Sequence, residues 1–183
     1  MKSIELEGSH EKASNKNFSL IISLLLTAVM FQQAFAAPLS WQSTNGPYGG
    51  DATAVAIASG DSKILYAGVY GNGVYQSIDG GNTWISISAH LPNLYVEHIV
   101  LNKNDIYAVT YSAGIYKSSD QGGSWVAVNE GLPHGTSDRI TVADLVVSQD
   151  TLYASTFDGV YKSSNNGANW TKTEVFPVAQ LKD

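Results

Sequence analysis

The chain of 183 residues has no cysteine, which removes both a disulfide framework and a lipid-modified start, so its stability has to come from packing alone. It has a single arginine, Arg139, and its lysines are scattered one at a time. With a formal net charge of −6, that distribution argues against nucleic acid or an anionic membrane surface as a partner. The four histidines are equally dispersed. His10 lies near the start, His90 and His134 in equivalent linkers and His98 at the head of a strand, so no pair has zinc spacing. No G-x-S-x-G elbow occurs, and the Gly-Gly and Gly-Asn-Gly stretches read as turns, not phosphate loops. No metal and no cofactor is expected. A helical period is also missing, apart from the apolar run Phe18 to Phe31.

That run is preceded by Lys12 and Lys16 and followed by Ala34-Phe35-Ala36, the small-x-small pattern of a signal-peptidase site. Residues 1–36 therefore read as a signal peptide cleaved after Ala36, which would make the remainder secreted or periplasmic with no integral membrane span. The alternative is an uncleaved anchor, because Phe18 to Ala37 is about long enough to cross a thin bilayer.

What fills residues 37–183 is a repeat. SIDGGNTW at Ser77 to Trp84 returns as SSDQGGSW at Ser118 to Trp125 and as SSNNGANW at Ser163 to Trp170, at intervals of 41 and 45 residues. Its flanks return with it: LYA, IYA and LYA upstream, then GVYQS, GIYKS and GVYKS, and linkers HLPN and GLPH downstream. Apolar residues alternate or run in short β-branched and aromatic stretches bounded by Gly, Asn, Asp and Ser, which is the pattern of short strands. Each copy supplies four of them, over about 52–88, 98–128 and 140–174, with a surplus strand near Trp41 at the front. Four antiparallel strands at this period describe a propeller blade, so the expected fold is all-β, with three four-stranded blades forming a partial or half β-propeller. The first strand of each blade, most uniformly apolar in copies one and three, is expected innermost and covered on both faces. Trp125, in the central blade, is expected to be more completely buried than Trp170 in the terminal one.

SIDGGNTW resembles the Asp-box of the bacterial neuraminidase repeat family, whose pattern is Ser-x-Asp-x-Gly-x-Thr-Trp, and the resemblance covers essentially all of residues 37–183. It implies propeller blades of the kind found in sialidases, oligoxyloglucan-cleaving glycoside hydrolases, sortilin-type receptors and photosystem II assembly factors. It also implies that the box is a structural turn on the rim, which assigns that role to Ser77, Asp79, Gly81 and Trp84, to Ser118, Asp120, Gly122 and Trp125, and to Ser163, Asn165, Gly167 and Trp170. The third copy supports this from its own residues. Asn165 keeps an acceptor oxygen for a turn but cannot act as a general acid, a nucleophile or a strong hard-metal ligand.

Sialidases resemble one another in holding the substrate carboxylate with three arginines, and one arginine cannot supply that clamp. A glycoside hydrolase needs two carboxylates. Asp51, Glu97 and Asp138 each lie at or near the start of an inner strand, where with Arg139 they are the candidate ligand-binding residues; no catalytic residue is assigned. The expectation is an exported, noncatalytic module that binds a protein or carbohydrate ligand, with a glycoside hydrolase-like protein or a membrane-complex assembly factor as alternatives. Closed propellers have about 4–8 blades, so three leave closure open. Two chains can pair into a six-bladed homodimer ring, a partner can cover the open faces, or the three blades can be a remnant of a longer gene.

Overall fold

A computed structural model describes residues 46–47 and 49–174. The signal segment and the surplus strand near Trp41 lie outside these residues. The described residues form twelve strands in three antiparallel sheets, each taken in chain order. The first blade holds β1 (Ala52–Ile57), β2 (Leu65–Val69), β3 (Gly73–Ser77) and β4 (Ile85–Ser86). The second holds β5 (Val96–Asn102), β6 (Asp105–Thr110), β7 (Gly114–Ser118) and β8 (Val126–Ala127). The third holds β9 (Val142–Ser148), β10 (Thr151–Thr156), β11 (Gly159–Ser163) and β12 (Thr171–Lys172). A short 3-10 turn at Thr136–Asp138 is the one helical piece among the described residues.

The outer strands are shorter than the sequence pattern predicts. β4, β8 and β12 pair over two residues each, because the box turn occupies the chain as far as its tryptophan. Each inner strand carries a register shift near its start, at Ala52/Ala54, Val96/His98 and opposite Ser155/Thr156. Such bulges add twist.

Two cores lie where blades meet. Between the first and second, Tyr66, Val74 and Leu91 pack with Val96, Ile99, Ile106, Ala108 and Trp125. Between the second and third, Tyr107, Val109, Ile115 and Leu132 pack with Val142, Leu145, Leu152, Tyr161 and Trp170. Leu91 and Leu132 are the leucines of the two matched linkers, so the repeat extends to how the linkers are anchored.

The cores correct two sequence-based expectations. Inner strands are not covered on both faces at the ends of the array: Val55 and Ile57 on β1 are 69% and 59% exposed, and Val146 on β9 is 51% exposed. In β1, Ala54 and Ala56 pack toward the next blade, and Thr53, beside the register shift, donates its hydroxyl to the Val96 carbonyl of that blade at 2.7 Å. The predicted order of tryptophan burial is also reversed, with Trp170 3% and Trp125 7% exposed. The reason is directional. Each box tryptophan inserts toward the blade before it, Trp125 donating its Nε1–H to the Ile87 carbonyl at 3.0 Å and Trp170 to the Val128 carbonyl at 2.8 Å. The last blade's ring is therefore inside an interface. Trp84, in the first blade, is half-buried and bonds the Gly81 carbonyl of its own box instead.

Candidate functional site

Strand polarity gives each blade two ends. Val69 pairs with Gly73 and Ala52 with Val69, so the β2–β3 hairpin and the start of β1 share one end; Leu65 pairs with Ser77, which puts the box at the other. The same register holds in the second and third blades.

At the box end the hydrogen bonds are those of a turn. Ser77 Oγ donates to Asp79 Oδ1 at 2.8 Å and accepts the Gly81 N–H at 2.8 Å. Asp79 accepts the Thr83 N–H on Oδ1 at 2.9 Å and the Thr83 hydroxyl on Oδ2 at 2.6 Å. The second copy repeats this with Ser118, Asp120, Gly122 and Ser124 at 2.7–2.8 Å. The hydroxyl bond from Thr83 or Ser124 is the leading cause, with the backbone bond behind it, that holds Asp79 and Asp120 at a pKa of about 2. In the third copy Ser163 and Gly167 are unchanged, and the Asn169 N–H bonds Asn165 Oδ1 at 3.0 Å. The remaining bond is reversed: Asn165 Nδ2 donates to Asn169 Oδ1 at 3.2 Å. A carboxylate accepting from a hydroxyl is exchanged for an amide donating to an amide. The box glycines are required by both backbone and packing. Gly122 and Gly167 have φ of 91° and 83°, and a Cβ on either would meet the side chain of Ile87 or Val128 on the preceding blade, at 2.6 and 3.2 Å. In each copy the serine that ends the third strand thus bonds the aspartate or asparagine and the glycine of the turn that follows.

The opposite end carries the four candidate residues, one blade after another. Asp51 is exposed just ahead of β1, its carbonyl accepting the Tyr70 N–H at 3.0 Å. Glu97 is half-buried in the bulge at the start of β5. Asp138 closes the 3-10 turn, with its carboxylate on His134 Nδ1. Arg139 follows in extended conformation and is exposed. Among the described residues no hydrogen bond or ion pair joins any two of the four, although they share an end of the array. Nor do the described residues hold a cluster of three or more acidic or histidine side chains fit for a metal. An inner-strand contact unforeseen from the sequence joins His98 of β5 to Asp144 of β9 at 3.7 Å.

Sequence reasoning also passed over the aromatic residues of this end. Tyr70, Tyr111 and Phe157 are each the residue directly after β2, β6 and β10, and are 41%, 49% and 65% exposed. Tyr95, just ahead of β5, is 50% exposed and stands edge-to-face with Tyr70, ring centroids 5.1 Å apart. The signal was available, since an aromatic closes the second strand in all three copies. Backbone pairing fixes the row: Tyr111 N–H bonds the Tyr95 carbonyl at 2.8 Å, and Gly73 N–H bonds the Leu94 carbonyl at 2.9 Å. Between the second and third blades, Tyr111, Ser112, Thr136, Arg139, Thr141 and Phe157 line a cleft of about 500 Å³. That volume is within the range of small-ligand sites.

Among the described residues no helix is long and apolar enough to cross a membrane. No family model and no curated protein sequence matches the chain. Solved structures do. An ancestral GH74 enzyme is similar at 25% identity over 67% of this chain and 18% of its own, with a TM-score of 0.55. YCF48 bound to D1 peptide is similar at 16% identity over 74% of this chain and 45% of its own, TM-score 0.58. The extracellular domain of a putative one-component system from B. thetaiotaomicron is similar at 20% identity over 74% and 18%, TM-score 0.57. The chain thus spans less than half the length of each of these proteins, and what it shares with them is the fold: an all-β array of β-propeller-type blades.

Proposed function

We propose that this chain is an exported, noncatalytic binding or scaffold module that recognises a protein or glycan through the hairpin end of its blades. The observation that carries the reading is the row of exposed rings, Tyr70, Tyr95, Tyr111 and Phe157, recurring at one end of successive blades. Large aromatic surface left in water at equivalent positions is what a ligand face needs, since rings bring much contact area at little entropic cost. The leader-like residues 18–36 support export. That similar folds occur in a protein seen with a peptide and in GH74 enzymes supports both ligand classes. The same reading pairs two chains as half-rings into a six-bladed propeller.

The test is a binding screen of the protein against peptide and glycan panels, with Tyr70→Ala, Tyr111→Ala and Phe157→Ala as variants. Ligands lost in these variants at unchanged thermal stability support the reading; a ligand indifferent to all three rings overturns it. The glycoside hydrolase alternative is separated by a hydrolysis panel with Asp51→Asn and Glu97→Gln. Turnover abolished in either variant would replace the binding reading with the enzyme. Copurification with a membrane complex would instead identify an assembly factor.

A further inference from the structure

The cleft between the second and third blades differs from the rest of the aromatic row because it holds the chain's one arginine. Arg139 makes no ion pair among the described residues, although acidic side chains are near it in sequence. Asp138, its neighbour, is engaged by His134. The segment that presents Arg139 is held by the Gly135 N–H bond to the Arg139 carbonyl at 2.8 Å. Ser137 and Asp138 adopt left-handed φ of 63° and 59° to close that turn, an uncommon conformation for residues with a Cβ. A guanidinium with no ion pair among the described residues, on a cleft that two exposed rings also line, is suited to a planar carboxylate attached to a body with a flat face.

The surrounding groups narrow the body. The loops that form the cleft use their backbone on one another: Tyr111 N–H on the Tyr95 carbonyl, Asn93 Nδ2 on the Tyr111 carbonyl at 3.0 Å, Asn129 Nδ2 on the Ala113 carbonyl at 3.3 Å, and Gly135 N–H on the Arg139 carbonyl. An extended peptide adding to a sheet edge relies on free backbone partners, and Tyr111, Gly135 and Arg139 of this cleft already spend theirs within the loops. The side chains offered to a ligand are the hydroxyls of Ser112, Thr136 and Thr141 and the exposed rings of Tyr111 and Phe157. Hydroxyls and rings are complementary to a sugar, whose own hydroxyls bond and whose CH face stacks. The net charge of −6 disfavours a polyanion, leaving a glycan with an isolated acidic unit.

We propose that this cleft is a subsite for a uronic acid residue of a glycan, with Arg139 anchoring the carboxylate and Tyr111 and Phe157 stacking the ring. It rests on the reading of the hairpin end as the ligand face. The probe is an aldotriouronic acid, one glucuronic acid on a neutral xylobiose, compared with its methyl ester, which keeps the body and removes the charge. Amide NMR shifts of residues 111–112 and 135–141 report the cleft, and those of 70–72 and 94–96 the rest of the row. The acid should bind at the cleft about tenfold more tightly than the ester. Arg139→Gln, at an exposed site, should abolish that preference while Phe157→Ala weakens both. Equal affinity of acid and ester, or an acid preference that survives Arg139→Gln, overturns the proposal. So does tighter cleft binding by a peptide with a free C-terminal carboxylate than by the sugar. If ligands perturb only residues 70–72 and 94–96, this inference falls and the wider one stands; if no ligand perturbs either group, both fall.

Discussion

Trp170→Ala offers the most direct test of how the blades are joined. The side chain is 3% exposed within the core between the second and third blades, and its Nε1–H is bonded to the Val128 carbonyl across that interface. A buried tryptophan removes on the order of 150–250 Å² from water, which at about 25 cal/mol per Å² gives roughly 4–6 kcal/mol as an upper bound. Partial collapse of the site brings the expected loss to about 3–5 kcal/mol. Trp125→Ala should cost the same within error, because its ring makes the equivalent bond to the Ile87 carbonyl. Trp84→Ala should cost roughly 1–2 kcal/mol, since that ring is half-buried and bonded within its own box. Trp170→Phe, which keeps most of the area but leaves the Val128 carbonyl unpaired, should lose about 1–3 kcal/mol. Urea denaturation followed by far-UV circular dichroism measures all four without relying on tryptophan emission. If Trp84→Ala matched Trp170→Ala, or Trp170→Ala cost clearly less than Trp125→Ala, insertion toward the preceding blade would be the wrong account of the interface.

The box carboxylates predict a specific acid sensitivity. Asp79 and Asp120 titrate at about 2 when folded and near 3.9 when unfolded, so their contribution is complete above about pH 4 and lost as the pH falls toward 2. Replacing both residues of each pair by asparagine, Asp79 with Thr83 and Asp120 with Ser124, should flatten the stability profile in that window while keeping the fold; an unchanged profile would refute the hydrogen-bond origin of the shift. Ring closure predicts a dimer. Val55 on the first blade and Val160 on the third are 69% and 43% exposed, whereas Ile99 and Ile115, at the equivalent positions of the middle blade, are 7% and 0% exposed. Light scattering at micromolar concentration should therefore return twice the chain mass, and a stable soluble monomer would rule the pairing out.

The blade could be read from the chain because its signals are local. Gly71-Asn72-Gly73 makes a hairpin, the box makes a turn and a period of 41–45 residues repeats both, so each sheet was predictable strand by strand. Which neighbour a side chain faces is not local. Trp170 looks terminal in the sequence and interior in space, because insertion has a direction that a repeat pattern does not encode. For the same reason Val55 and Ile57 read as core although no described blade covers them. Asp51, Glu97, Asp138 and Arg139 were legible as residues at or near the start of inner strands, but not that Arg139 would line one cleft with Tyr111 and Phe157, which come from hairpins 46 residues apart in the chain. The contact of His98 with Asp144 occurs once and had no repeat to reveal it.

The reversed bond between Asn165 and Asn169 has an evolutionary consequence. A hydroxyl can give a proton to a carboxylate or take one from an amide, so a blade with Thr83 or Ser124 at that position can exchange its aspartate for asparagine without stranding a partner. The hydroxyl can then follow. A path of two single substitutions thus connects a charged box to an uncharged one without leaving a hydrogen-bond partner stranded. Each blade's outer tip can lose or regain a negative charge independently, letting selection retune the electrostatics of the rim while the wedge packing of the array stays as it is.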